Sequence, residues 1–360
     1  MKKRSRIVVR ISLVIFLVLA ALLFVPRNYE VLEFTERPGT QYWELPTGSK
    51  IGYFKVKAHA KSLKPPIIYL HGGPGGRVSD GSIAALKPLA AYGNDLYFYD
   101  QVGSGHSERL AQIEEYSVAR HRSDLKAIIS EMEAEKVILI AHSWGSLLAI
   151  NFLQHYPEKV EKLIISGPGP ILPIKKSLAK ISPPDSLNIK EPSVSNAEGN
   201  RKVNNLRMRL VWRWAYKFKS KLAPDAEADD FFTLLNQELN KSTACEANES
   251  QAYPGGSGYY SHIMTLKSFE AVEDQREKLK SLALPILILR GQCDNQKWGY
   301  TQEYLELLPN VHLEIFANSG HDVTRGNEEQ YLEKILNFIA ENTSNLLLLD
   351  ANALEDLSAL

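Results

Sequence analysis

Several features that would point at once to a particular class of protein are scarce in this sequence. Only two cysteines, Cys245 and Cys293, occur in 360 residues, which excludes a disulfide framework and a cysteine-based zinc site. We expect both to be free thiols, although they could pair in an oxidising compartment. The 42 basic and 42 acidic residues balance, so no excess of positive charge is available for nucleic acid. Neither a metal nor a cofactor is predicted.

A long hydrophobic run occurs at the N-terminus, after a cluster of basic residues. The run from Ile11 to Val25 has 15 residues without a charge, and as a helix it would span roughly 22 Å. Counted from Ile7, with Arg10 snorkelling, the run would nearly cross the roughly 30 Å of a bilayer core. The small residues of a signal-peptide cleavage site do not follow it. We therefore predict that residues 1–27 form an uncleaved signal anchor. The rest of the chain would then lie on the non-cytoplasmic side. A cleaved signal peptide, giving a secreted or periplasmic protein, is the alternative.

Short apolar runs alternate with helical patterns through most of the remaining chain. Strands are expected at residues 29–35, 41–45, 51–58, 65–70, 96–99, 137–140, 163–166, 285–289 and 313–316. Strands separated by helices predict a mostly parallel sheet with helices on its faces. Between residues 171 and 282 only helical patterns and loops are found. We therefore predict an α/β core at 28–170 and 283–345, an inserted helical cap at 171–282, and an unassigned tail at 346–360.

The strand expected at 137–140 leads into a distinctive turn, Ala141-His-Ser-Trp-Gly145. A buried strand, a sharp turn with a serine at its apex and an immediate helix form a nucleophile elbow. Ala141 and Gly145 are small enough for the two backbones to pass closely. The turn presents the hydroxyl of Ser143 beside the first N–H groups of a helix, where negative charge is stabilised. Ser143 is therefore the predicted nucleophile.

Two later strand ends carry the groups that a serine nucleophile needs. His321 follows the last expected strand and can take the proton of the serine, and Asp294 follows the preceding strand and can orient the histidine. The order Ser…Asp…His is that of the α/β-hydrolases. Asp100 is an alternative acid at another strand end, but it precedes the serine. Asp322 is disfavoured because adjacent side chains rarely reach the required ring geometry.

An oxyanion hole requires two backbone N–H groups aimed at one point. One is expected from Trp144 and the other from Gly73, in the loop His71-Gly-Gly-Pro-Gly-Gly76. A cis Gly73–Pro74 bond would aim the second group rigidly. We expect His71 to hydrogen-bond the backbone of this loop. We expect His142 to pack beside the nucleophile rather than to take part in catalysis. A phosphate cradle is disfavoured, since no Gly-Lys-Ser/Thr ending follows the loop.

Three of these motifs together resemble those of the proline iminopeptidases, serine aminopeptidases of the α/β-hydrolase fold. The motifs are His71-Gly-Gly-Pro-Gly-Gly76, Asp100-Gln-x-Gly-x-Gly-x-Ser107 and His142-Ser-Trp-Gly145. The segments ending in Asp294 and in Gly320-His321 also fit that family, and the resemblance covers residues from about 50 to 340. It implies an α/β-hydrolase fold with a helical cap, and a catalytic triad of Ser143, Asp294 and His321.

The cap is the part of the chain that the resemblance identifies least. The resemblance implies cap carboxylates that bind the free amino terminus of the substrate, one of them after a tryptophan. Here Ala215 follows Trp214. Glu246 and Glu249 are candidates by position, before an aromatic loop, and a solvated acidic loop is the alternative for them.

Three functional hypotheses follow. The first is a membrane-anchored serine hydrolase that removes an N-terminal residue from short peptides, and the resemblance implies proline as a candidate for that residue. The second is a carboxylesterase or lipase-like acyl hydrolase with small acyl or ester substrates. The third is a non-catalytic, membrane-tethered binding module, against which the complete set of triad candidates argues.

Overall fold

An eight-stranded sheet forms the centre of the protein. The computed structural model describes residues 2–59, 64–246 and 254–340. The strands are β1 (Gln41–Glu44), β2 (Lys50–Val56), β3 (Ile67–Leu70), β4 (Leu96–Tyr99), β5 (Val137–His142), β6 (Val160–Ser166), β7 (Ile286–Gly291) and β8 (Val311–Phe316). Their order is β1-β2-β4-β3-β5-β6-β7-β8. The pairs β1–β2 and β2–β4 are antiparallel and the others are parallel. The predicted mostly parallel sheet is confirmed.

Helices cover the sheet and fill the interval between β6 and β7. They are α1 (Lys2–Phe24), α2 (Asp80–Leu86), α3 (Val118–Glu131), α4 (Trp144–Leu153), α5 (Asn196–Val203), α6 (Leu206–Phe218), α7 (Asp225–Leu239), α8 (Tyr259–Ser268), α9 (Trp298–Leu307) and α10 (Glu328–Ala340). Helices α5 to α8 all lie between β6 and β7, where the described residues contain no strand. These residues fall within the interval that we predicted as a cap.

Alternate residues of the central strands pack into two different hydrophobic clusters. On β5, Val137 and Leu139 belong to one cluster, and Ile138 and Ile140 belong to the other. All four are buried, as expected for a strand with helices on both faces of the sheet. This burial explains why the strand reads as a continuous apolar run rather than as an alternating pattern.

A buried ion pair joins two helices of the cap to the segment that follows α1. Arg207 on α6 donates from Nη2 to Oε2 of Glu227 on α7 at 2.5 Å, and both side chains are buried. Glu227 Oε1 also accepts from the backbone N–H of Arg27 at 3.0 Å. Buried charges are tolerated when they are paired and hydrogen-bonded in this way.

Two expectations for the N-terminal part need revision. Residues 29–35 do not form a strand; they contribute one isolated bridge, between Leu32 and Pro254. Helix α1 covers much of the predicted anchor, but no helix within the described residues is long and apolar enough to cross a membrane. The predicted spanning anchor is therefore not supported. Basic residues continue as far as Arg10, which leaves a short uncharged run.

The prediction of two free thiols is wrong. Cys245 and Cys293 form a disulfide, with their Cα atoms 5.1 Å apart. The two residues are separated by 48 positions in sequence. They meet because the chain after α7 returns to the loop that follows β7.

Candidate active site

Ser143 lies at the apex of the turn between β5 and α4. Its backbone has φ 54° and ψ −120°, a left-handed conformation that non-glycine residues rarely adopt. The turn is possible because its neighbours are small. A Cβ on Gly145 would overlap the backbone carbonyl of Leu70 in the adjacent strand. The sequence thus dictates the strained elbow that exposes the hydroxyl.

The structure brings the three predicted triad residues into one hydrogen-bonded line. His321 Nε2 lies 2.8 Å from Ser143 Oγ, and His321 Nδ1 lies 2.8 Å from Asp294 Oδ1. A carboxylate can only accept, so Nδ1 carries a proton and donates to Asp294. In the neutral ring Nε2 is therefore the acceptor, which is the tautomer required to take the serine proton.

Asp294 is buried and remains ionised because of its neighbours. Burial alone would raise the pKa of Asp294, but the charge and hydrogen bond of His321 and the charge of Arg290 lower it overall. Oδ1 also accepts from the N–H of Gln296 at 2.9 Å, and Oδ2 lies 3.6 Å from Arg290 Nη1. Asp294 is thus held as an anion, with Oδ1 oriented by two hydrogen bonds and Oδ2 facing Arg290 without a hydrogen bond among the described residues.

Glycines allow the His321 loop to approach the elbow. A Cβ on Gly167, which has φ 57°, would lie 2.9 Å from the His321 ring. A Cβ on Gly320 would overlap the carbonyl oxygen of Thr243, in the segment that follows α7. The base is therefore packed between the sheet and the cap without room for larger residues.

The predicted oxyanion loop is fixed by His71 and Gln101. His71 Nδ1 donates to the carbonyl of Gly72 at 2.8 Å, and Nε2 accepts from the backbone N–H of Gln101 at 2.9 Å. Burial lowers the pKa of His71, in keeping with a neutral ring that uses one nitrogen as donor and the other as acceptor. Gln101 Oε1 accepts from the indole N–H of Trp144 at 2.7 Å. The Gly73–Pro74 bond is cis.

The rival acid Asp100 serves a different part of the structure. Its Oδ2 lies 2.8 Å from Nδ1 of His106 and accepts from the N–H of the same residue at 2.9 Å. Its Oδ1 accepts from the N–H of Val78 at 2.7 Å. Asp100 therefore joins two loops, and His321 has Asp294 as its carboxylate partner.

A cavity of about 390 Å³ opens at Ser143. The core contributes Gly72, Gly73 and His142, and the cap contributes amide and hydroxyl side chains. The cap residues that line the cavity are Asn196, Asn236, Leu239, Asn240, Thr243 and His262. The cap side is mostly polar and uncharged, and Tyr69, Leu86 and Tyr331 of the core add apolar surface, so the cavity suits a small substrate that has both hydrogen-bonding and apolar groups.

Glu246, one of the two proposed cap carboxylates, does not line this cavity. Glu246 is exposed and lines a second cavity, beside Cys245 and Cys293. Glu249 lies outside the described residues. Within the described part of the chain, Asp322 is the one carboxylate that lines the cavity at Ser143. For Glu246, its position along the chain did not indicate which cavity its side chain would line.

Sequence reasoning assigned no site role to Asp322 or Gln101. Oδ1 of Asp322 accepts from the N–H and the hydroxyl of Thr324, at 3.2 and 2.6 Å. Burial would raise the pKa of Asp322, whereas His142 and the Thr324 hydrogen bonds lower it, and the net direction is downward. Burial and the neighbouring His321 lower the pKa of His142 to about 4, so that ring is neutral near pH 7. Gln101 belongs to the motif that begins at Asp100, but the sequence did not reveal that its side chain joins the oxyanion loop to Trp144.

Comparisons with known proteins agree with this geometry. Residues 65–324 match the alpha/beta hydrolase fold family. A proline iminopeptidase of Heyndrickxia coagulans is 25% identical over 299 residues, covering 81% of this chain and 96% of the relative. A proline iminopeptidase of Lactobacillus delbrueckii subsp. bulgaricus is 27% identical over 288 residues, covering 77% and 90%.

Solved structures share the same fold. A proline iminopeptidase from Mycobacterium smegmatis has a TM-score of 0.53 at 16% identity, over 83% of this chain and 97% of that one. An esterase from Exiguobacterium antarcticum has a TM-score of 0.55 at 18% identity, over 84% and 99%. The chain has the elbow and the hydrogen-bonded Ser–His–Asp groups, and the family match covers most of its length. It belongs to the alpha/beta hydrolase fold family.

Proposed function

We propose that this serine hydrolase is an aminopeptidase that releases an N-terminal residue, proline among the candidates, from short peptides. The observation that carries the proposal is the hydrogen-bonded line from Ser143 through His321 to Asp294, beside a small cavity that Ser143 and His321 line. The similarity to proteins named proline iminopeptidase, over about four-fifths of the chain, supports the peptidase assignment.

In the proposed reaction Ser143 Oγ attacks the carbonyl carbon of the N-terminal residue. His321 Nε2 takes the hydroxyl proton as the bond forms, and Asp294 stabilises the resulting cation. The N–H groups of Gly73 and Trp144 receive the oxyanion. His321 then gives the proton to the leaving amine. A water molecule, deprotonated by His321, then attacks the carbonyl of the acyl-enzyme. Ser143 recovers the proton, and the amino acid is released.

Asp322 would receive the positively charged amino terminus of the substrate. Its Oδ2 accepts no hydrogen bond within residues 2–59, 64–246 and 254–340, and its neighbour His142 is neutral near pH 7. The charge of Arg325 stabilises the Asp322 anion without a salt bridge among the described residues, and an incoming ammonium group would supply a directly paired cation. A charge-assisted hydrogen bond contributes about 1.5–3 kcal/mol, equivalent to about 10- to 100-fold in affinity.

A substrate panel tests the assignment. The wild type should hydrolyse proline and other amino-acyl arylamides faster than their N-acetylated counterparts. Ser143→Ala should lose activity by a factor on the order of 10⁴. Asp322→Asn should raise KM about 10- to 100-fold more for the free-amine substrates than for p-nitrophenyl acetate. Cleavage of esters alone would establish the esterase alternative, and no turnover of either class would favour the binding module.

We further propose that the basic and apolar N-terminal segment directs the catalytic domain to the non-cytoplasmic side of a membrane. The Cys245–Cys293 disulfide supports this, because structural disulfides persist mainly in oxidising compartments. Cell fractionation with thiol labelling tests the location, and N-terminal sequencing of the mature protein decides between retention and cleavage of the segment. Recovery of a fully reduced enzyme from the cytoplasm would contradict the proposal.

A further inference from the structure

The two residues that flank Asp294 are both attached to the cap. Cys293, immediately before it, is bonded to Cys245 through the disulfide. Asn295, immediately after it, donates from Nδ2 to Oγ of Ser242 at 3.0 Å. Ser242 is buried, and the single proton of its hydroxyl is shared between two acceptors, Oδ1 of Asn196 and the carbonyl of Leu239. The acid is thus held from both sides by one short cap segment.

The same cap segment also contacts the loop that carries the base. The carbonyl of Thr243 accepts from the N–H of Asp322, directly after His321, at 3.4 Å. Gly320, directly before His321, packs so closely on Thr243 that a Cβ would overlap its carbonyl oxygen. The two loops are also joined to each other, since Cys293 N–H donates to the carbonyl of Ser319 at 2.8 Å.

We propose that residues 242–245, which we name the cap clamp, position Asp294 and His321 relative to each other. Thr243 of the clamp lines the cavity at Ser143, whereas Ser242 and Cys245, the two residues varied below, do not. Ser242 and Cys245 are positioning residues, and the disulfide is the covalent part of the clamp. The inference rests on the proposed function insofar as it takes Ser143, His321 and Asp294 as the working triad.

Small displacements of Asp294 relative to His321 are expected to have a large effect on kcat. Catalysis requires hydrogen-bonded groups in near-ideal contact, and a misplacement of about 1 Å can cost on the order of 100-fold. The contacts of Asp294 with His321 and with Gln296 are 2.8 and 2.9 Å. Releasing the clamp would remove the attachments of Cys293 and Asn295 to the cap, whereas the hydrogen bonds that Gln292 makes to residues 188 and 190 would remain. We therefore expect a loss in kcat rather than in substrate binding.

The test uses the full chain and measures kcat per active site. A fluorophosphonate probe inactivates the enzyme that it labels, so the reactive Ser143 groups are counted in separate aliquots, before and after reduction. Dithiothreitol then reduces the disulfide to two thiols, itself becoming the cyclic disulfide, and iodoacetamide blocks both thiols. The reduced enzyme and Cys245→Ser should each lose kcat per counted site by about 10- to 100-fold. KM should stay within about threefold. Cys245→Ser should not respond to dithiothreitol.

A matched pair of serine variants tests the non-covalent part. Ser242 and Ser281 each donate to the carbonyl three residues earlier, but Ser281 is exposed and away from the clamp. In the Cys245→Ser background, Ser242→Ala should lower kcat further and Ser281→Ala should not.

The outcomes separate the clamp from the triad. Failure of the probe to label the oxidised wild type would overturn the triad and with it the proposed function. A normal kcat per site after reduction would overturn the clamp alone. A loss confined to the number of labelled sites would also overturn it, since that is what a merely structural disulfide produces.

Discussion

Replacing Asp294 by asparagine tests the assigned acid most directly. The amide keeps the size and shape of the side chain but removes its charge. Nδ1 of His321 would then face a neutral group that can also donate, so the ring is no longer held in the tautomer that leaves Nε2 free to accept. The imidazolium that forms when the serine attacks would also lose its counter-charge.

The expected loss has two parts of different size. Losing the carboxylate of a Ser–His–Asp triad costs on the order of 10⁴ in kcat, or about 5 kcal/mol of transition-state stabilisation. The buried Arg290, 3.6 Å from Asp294, would lose its neighbouring anion, which costs about 3–5 kcal/mol of folding stability. Arg290 keeps its hydrogen bonds to Thr301 and to the carbonyl of Gln296, so we expect the lower end of that range.

The assay must separate rate from stability. We would measure kcat per fluorophosphonate-labelled site at a temperature well below the melting point of the variant. Asp124→Asn is the matched control, because Asp124 is also buried and also close to an arginine, with Arg120 Nε at 3.4 Å. It should lose stability of a similar order and keep its kcat per site.

One pattern of results would refute the assignment. If Asp294→Asn kept kcat per site within about tenfold while Asp100→Asn abolished turnover in folded protein, Asp100 would be the acid. The structure predicts the opposite, because Asp100 pairs with His106 and hydrogen-bonds two loops.

Three further predictions concern stability. Burial lowers the pKa of His121 to about 3 in the folded protein; the unfolded chain takes up the proton near pH 6.5, so stability falls as pH drops below that value. His121→Gln should remove up to about 3 kcal/mol of this loss at pH 4, measured as a flatter slope of unfolding free energy against pH in urea melts. Gly145→Ala should lower the free energy of unfolding by about 3 kcal/mol or more, because the new Cβ would overlap the backbone of Leu70. Gly81→Ala is the control: the nearest atom to its Cβ would be 3.7 Å away, so the same melts should show almost no change. Glu227→Ala should cost about 3–5 kcal/mol by leaving the buried Arg207 unpaired, and an unchanged melting temperature would contradict this.

The sequence by itself determined the chemistry at the sheet edge. A run such as Val137–Ile140 specifies a buried strand, and the small residues that follow specify a sharp turn. Both are local properties of a few neighbouring residues. Because parallel strands end at one edge of a sheet, Ser143, Asp294 and His321 could be placed together before any coordinates were known. Their separation in sequence did not matter, since each stands at the end of its own strand.

Only the tertiary structure decided what surrounds that chemistry. The pairing of Cys245 with Cys293, the exposure of Glu246 and the position of Asp322 in the cavity all depend on how the cap folds back onto the core. That return is set by long-range contacts between the cap and the core, such as the ion pair of Arg109 with Asp229 on α7, and not by a local pattern. A side chain in an inserted helical segment can face the cavity or solvent after a small rotation of its helix. The cap therefore had to be seen in three dimensions before its charges and thiols could be interpreted.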